Sequence, residues 1–256
     1  MNALGLTVRQ FSFENKSFWR NPAAAFFTFL FPLLFLVIFT TIFEDVTRLP
    51  TGGRVNSATY YTAAILAFGV ISATFTNIAI SVTFLREEGV LKRVRGTPMP
   101  GSSYLLGKVV HAVFVQALLV AITLAFGVIF YDVSLPTSTA LPFAVMLIVG
   151  AAAFCMLGLA TTSVVPNVDA APPIVNAIVL PLLFISGVFV PTTNAPEWLT
   201  SLAGFFPIKH FVEGVFVSYL GLNDSGWRAG DLGIIALWGA AGLILAARYF
   251  RWEPRR

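Results

Sequence analysis

The chain has 256 residues, 57% of them hydrophobic and only 11% charged, with a mean hydropathy of +0.83. A soluble domain carries roughly 25% charged residues, so a water-soluble globule is excluded, and apolar runs of about 20 residues point to several membrane-spanning helices. The formal charge of +4 does not point to nucleic acid, because the basic residues cluster beside the apolar runs, where they set topology; one cysteine, Cys155 in an apolar run, excludes a disulfide framework or a multi-cysteine metal site.

Residues 1–22 place Leu4, Val8, Phe11 and Phe18 on one helical face and Arg9, Gln10, Glu14 and Lys16 elsewhere, the pattern of a helix lying in the headgroup region. The apolar run that follows is too long for a signal peptide and leads into Glu44 and Asp45, so no cleavage is expected. Span one, 23–43, carries Phe27, Phe31, Phe35, Phe39 and Phe43 at four-residue intervals, a slowly rotating aromatic stripe bent at Pro32. Phe31, Phe35 and Phe39 are the candidates to line a path for flat hydrophobic or amphipathic compounds. Span two, 60–84, is rich in hydroxyls and amides, with Thr74, Asn77 and Ser81 on one face. Such groups either join helices or wet a substrate path, and Asn77 is a candidate path residue.

The segment 86–97 reads as a short amphipathic helix, with Val90, Leu91 and Val94 on one face, Glu88 four residues before Lys92, and Gly96 and Pro98 as the stop. Its two adjacent glutamates favour a docking knob over a purely basic lipid anchor. Span three, 109–130, has His111 near its start, which reads as an interfacial or helix-capping histidine rather than a proton relay. Span four, 141–165, carries Gly150 and Gly158, and span six, 232–247, carries Gly239 and Gly242, small residues suited to close helix packing. Span five, 174–190, has Asn176 near its start, a second candidate path residue.

The outer segment 191–231 is long for a connection and too apolar for a free loop, so two short helices broken at Pro207 must bury their faces in lipid or against the spans. Lys209 and Glu213, four apart at this outer gate, either pair or stand separately, with Lys209 snorkelling and Glu213 solvated. With the N-terminus inside, twelve of the sixteen basic residues flank the inner side and only Arg48, Arg54, Lys209 and Arg228 fall outside, so both termini are expected in the cytoplasm. This topology places no basic or acidic residue within a span, which argues against an ion-coupled carrier. Nor do two histidines and one cysteine offer an intramembrane hydrolase its nucleophile and base.

The run from Leu85 through Arg86, Glu87, Glu88, Gly89, Val90, Leu91, Lys92, Arg93, Val94, Arg95, Gly96, Thr97 and Pro98 to Pro100, followed by Tyr104 to Lys108, resembles the signature between spans two and three of ABC-2 type permeases. A second stretch, Leu180 to Pro191 with Pro196 to Leu199 and Phe206 to His210, resembles the family's signature at span five and beyond. The resemblance implies one domain over 1–256, an all-α integral membrane fold with six transmembrane helices. To these it adds an N-terminal interfacial helix, a cytoplasmic coupling helix and two re-entrant outer half-helices. It implies an inner-membrane subunit, not itself an enzyme, that dimerises with a second copy or a paralogue and docks a separate cytoplasmic ATPase through Glu87, Glu88, Gly89, Leu91 and Arg93. ATP and magnesium would sit on that partner, since the chain contains no G-x-x-x-x-G-K-[ST] phosphate loop. The expected cargo is a hydrophobic or amphipathic solute, as in the drug and antibiotic resistance branch; polysaccharide export is the alternative, and a non-transporting membrane protein the less favoured one.

Overall fold

A computed structural model describes residues 3–43, 46–48, 54–189, 196–223 and 225–253. Glu44, Asp45, Val190, Asp224, the start of the outer segment at 191–195, and Arg255 and Arg256 lie outside the described residues. Helix α1 covers Ala3–Trp19 and α2 covers Pro22–Ile42; Asn21 caps α2, its side-chain oxygen accepting from the Ala24 amide at 3.2 Å. Two three-residue strands, β1 Val46–Arg48 and β2 Arg54–Asn56, pair antiparallel with Thr47 opposite Val55. Helix α3, Ser57–Ile71, a π-helical turn at Ser72–Thr76, and α4, Asn77–Glu87, then run as one long helix. After the six-residue α5, Val90–Arg95, come α6 at Gly101–Tyr131, α7 at Ala140–Thr161 and α8 at Ala171–Ile185. The outer segment forms α9, Glu197–Phe205, and α10, Pro207–Leu220, and α11 spans Ala229–Tyr249.

Among the described residues five helices are long and apolar enough to cross a membrane: α2, the helix through α3 and α4, α6, α7 and α11. The sixth apolar helix, α8, has only 15 residues, against the 17 of the expected span. The chain is a multi-pass, mainly helical membrane protein. Helix α3 is its axis. It is hydrophobic on every side, with Ala63, Ala64, Leu66, Ala67 and Val70 fully buried, which only a helix surrounded by others tolerates. Helices α2, α6, α7 and α10 surround it. The two short helices α9 and α10 break where Pro207 demands it: Phe206 is extended, and α10 inserts with Phe211, Val212 and Val215 fully buried against the long helices.

The structure rearranges three local expectations. Helix α1 packs through a mixed face: the polar Gln10 and Glu14 join Phe11 and Phe18 against α6, while Leu4 and Val8 are exposed. The polar pair faces inward because Lys108 of α6 lies beneath it, its Nζ 3.0 Å from Glu14 Oε2, with Gln10 donating to Glu14 Oε1 at 2.8 Å. Helix α6 begins at Gly101, so Lys108 belongs to a spanning helix after all, and Glu14 neutralises it there. The segment 86–97 is not one helix. Glu87 ends α4, and Gly89, at φ +70°, turns the chain before α5 begins, a conformation that strains any residue with a Cβ. In span two the π turn inserts an extra residue per turn, so Thr74 faces inward and donates to the Val70 carbonyl, away from the face of Asn77.

Candidate functional site

The turn between α4 and α5 presents exposed Glu87, Glu88 and Arg93, with Arg93 Nη2 donating to the Glu88 carbonyl at 3.2 Å. Among the described residues Glu88 and Lys92 form no ion pair, because Gly89 bends the backbone between them. Leu91 is not a surface residue: it is fully buried with Ile78, Val82, Tyr104 and Leu159, and so pins α5 to the bundle. Sequence reasoning did not single out Arg86, the anchor beside it. This guanidinium is 1% exposed and donates to the carbonyls of Thr162 and Val165, each at 2.7 Å, tying the base of α4 to the end of α7. Buried lining and exposed charges together make a small, rigidly mounted knob.

Above it lie two clefts. The first, about 890 Å³, lies between α1, α4, α5 and α6, with Glu14, Lys108, Ser17, Ser81 and Asn77 in its wall. The second, about 650 Å³, is lined by α2, α3 and α6, with Phe27, Phe31, Phe68, Ser72 and again Asn77. Phe18 and Ala24 also border both. The π turn makes this possible, since it brings Ser72, Asn77 and Ser81 to the same open side. His111 packs between Phe11 and Phe18 and is 8% exposed; its Nε2 has no hydrogen-bond partner among the described residues.

The aromatic stripe of α2 is continuous. Phe31 meets Phe35 edge-on at 4.9 Å, and Phe35 stacks on Phe39 at 5.7 Å. Beyond it Phe39 stacks on Tyr61 at 5.3 Å and touches Phe189 at 6.1 Å. Only Phe31 of the three opens onto a cleft; Phe35 and Phe39 are half-buried against the core around α3. Asn176 stands elsewhere, exposed on α8 on the side opposite buried Val175, Val179 and Leu183, and lines none of these clefts.

On α10 Lys209 and Glu213 do approach, at 3.7 Å, but each has a closer partner. Lys209 Nζ donates to the Thr200 carbonyl at 3.0 Å, and Arg228 Nη2 lies 3.1 Å from Glu213. Arg228 also bonds Asp231, whose other oxygen lies 2.8 Å from His210 Nδ1, and His210 Nε2 donates to the Gly204 carbonyl at 2.8 Å. This chain of charges fastens α9, α10 and the start of α11 together. Its hydrogen-bonded carboxylate holds the Arg228 guanidinium above its ordinary pKa. Beyond the Lys209–Glu213 spacing, the three-residue spacing of Arg228 and Asp231 was its signal in the sequence. Among the described residues no group of three or more His, Cys, Asp or Glu is placed to hold a metal ion.

Residues 6–220 match the family described as ABC-2 type transporter. Among curated proteins, "Putative transport permease YvfS" of Bacillus subtilis is 23% identical over 79% of this chain and 81% of its own length. "Probable multidrug ABC transporter permease YbhR" of Escherichia coli is 30% identical over 59% of this chain, the match spanning 40% of that longer protein. "Inner membrane transport permease YadH" of Escherichia coli is 22% identical over 82% of the chain and 84% of its length.

Proposed function

Because the chain belongs to the ABC-2 type transporter family, we propose that it is the membrane permease subunit of an ATP-driven exporter, moving a hydrophobic or amphipathic solute outward with a separate ATPase subunit. The observation that carries this reading is the α4–α5 turn: exposed Glu87, Glu88 and Arg93 mounted on buried Leu91 and Arg86. A charged knob held this firmly can receive a push from a cytoplasmic partner and pass it to the long helix through α3 and α4. ATP and magnesium belong to that partner, and this chain contributes no catalytic group. The apolar face of α8 around Asn176, Leu180 and Phe184 is exposed and is the surface offered to a second permease copy. In this reading α8 completes six spans and both termini face the cytoplasm of an inner-membrane protein.

Affinity purification from native membranes in mild detergent tests the partnership. The wild type should bring down a stoichiometric ATPase, and Glu88→Lys should recover at least about tenfold less, the factor that roughly 1.4 kcal/mol of lost binding gives. A wild type that purifies alone, without ATP hydrolysis, overturns the reading. Orientation is checked separately by labelling with an impermeant thiol reagent. A cysteine replacing Asn223 should react from outside intact cells and one replacing Arg95 should not; Thr51, the other outer position suited to this, lies outside the described residues. The reverse pattern would invert the topology.

A further inference from the structure

The two clefts share a wall at Phe18, Ala24 and Asn77 and differ in chemistry. The larger one, beside α1, carries hydrogen-bonding groups without a protein partner: among the described residues the side chains of Ser17, Asn77 and Ser81 make no hydrogen bond to one another or to the rest of the chain. A serine in a helix can bond back to the preceding turn, as Ser12 does to the Val8 carbonyl at 3.1 Å; Ser17 and Ser81 do not. The charges in the same wall are already balanced, since Glu14 is occupied by Lys108 through one oxygen and by Gln10 through the other. The smaller cleft is apolar and aromatic, with Phe27, Phe31, Phe68, Val115 and Leu119, and it runs along the spanning helices α2, α3 and α6. Each volume, 890 and 650 Å³, falls within the several-hundred-Å³ range of sites for drug-sized ligands.

We propose that the joined clefts form a binding site for an uncharged amphiphile, with its polar head against Ser17, Asn77 and Ser81 at the level of α1 and its aromatic or acyl body against Phe27, Phe31 and Phe68. That this amphiphile is cargo rests on the permease reading; that it binds does not. Balanced charge disfavours an ionic head, which would have to break the Glu14–Lys108 pair or enter without a counter-charge. Asn77, exposed at the junction, offers an amide donor and an acceptor to whatever lies across both.

The test uses the full chain in phosphatidylcholine nanodiscs without any ATPase. In a Cys155→Ala background, Ala24→Cys places a thiol in the shared wall, and Leu237→Cys places one on the exposed side of α11 as a control. Three probes share an aromatic body: triphenylphosphine oxide is neutral with a strong acceptor, tetraphenylphosphonium is a cation and tetraphenylborate an anion. Triphenylphosphine oxide should slow alkylation at position 24 by N-ethylmaleimide at least about fivefold and leave position 237 unchanged. Adding Asn77→Leu should raise the concentration needed for half-protection about five- to tenfold, the scale of one lost hydrogen bond. Equal slowing at both positions, no slowing, or stronger protection by either ion overturns the proposal. Because ATPase recovery is measured on a different sample, absent protection beside intact ATPase association would sink this site and leave the permease reading standing.

Discussion

Arg86→Met is expected to leave little folded protein after detergent extraction. The guanidinium lies at the end of α4 and is the donor for the carbonyls of Thr162 and Val165, at the point where α7 stops. Helix ends leave backbone carbonyls without intrahelical partners, and here water cannot replace the lost donor because the side chain is 1% exposed. Charge-assisted bonds of this kind contribute about 1.5–3 kcal/mol each, so losing both should cost roughly 3 kcal/mol or more. Arg86→Lys should be intermediate, since an ammonium lacks the planar fork that reaches two carbonyls at once. Thermal unfolding followed by size-exclusion chromatography reads the difference. A methionine variant that melts within a few degrees of the wild type would show that Arg86 is dispensable to the α4–α7 junction.

The second large effect is expected from Gly242→Leu. A Cβ at Gly242 would sit 2.9 Å from the Leu157 amide nitrogen and 3.0 Å from the Met156 carbonyl carbon, and one at Gly239 would sit 2.9 Å from Ala153 Cα. Those neighbours are backbone, which cannot swing aside, so α7 and α11 must separate along their contact. Overpacking usually costs about 1–3 kcal/mol, and in a membrane, where close approach itself holds helices together, the lost packing adds to it. Gly214→Ala supplies the contrast. There a Cβ meets only the flexible end of Met146, its Cε at 2.2 Å, which can take another rotamer. The leucine variant should lose most of its monodisperse fraction and the alanine variant little; equal behaviour would mean that the α7–α11 contact is not tight.

The long apolar runs and the break at Pro207 were legible because they follow from composition and from what proline does to a helix. The polar character of α4 was legible too, but its geometry was not: a π turn has no sequence signature here, and Thr74 within it is buried while Asn77 just after it is exposed. Periodicity put Phe11 and Phe18 of α1 on one side, where they meet α6, but it weighs hydrophobicity only and left out Gln10 and Glu14 beside them. It cannot see Lys108, nearly a hundred residues away, waiting for Glu14. Leu91 matched a family signature and looked like contact surface, but fits the core by ordinary burial. The outer network depends on His210 meeting Asp231 across 21 residues, a distance that only the turn between α10 and α11 closes.

In the six-span reading proposed above, the shortness of α8 has a consequence for the lipid around it. Fifteen residues rise about 22 Å at 1.5 Å per residue, while the hydrocarbon layer is roughly 30 Å thick. A helix that ends early exposes carbonyls at a depth without water. Two hydroxyls meet them: Ser186 donates to the Leu183 carbonyl at 2.9 Å, and Tyr60 reaches across from α3 to the Gly187 carbonyl at 2.9 Å. Helices α9 and α10 also pack against α8. In that reading the bilayer need not thin to match α8, and changes in acyl-chain length should strain the edges formed by α2, α6 and α11 before they disturb the cluster of α8, α9 and α10.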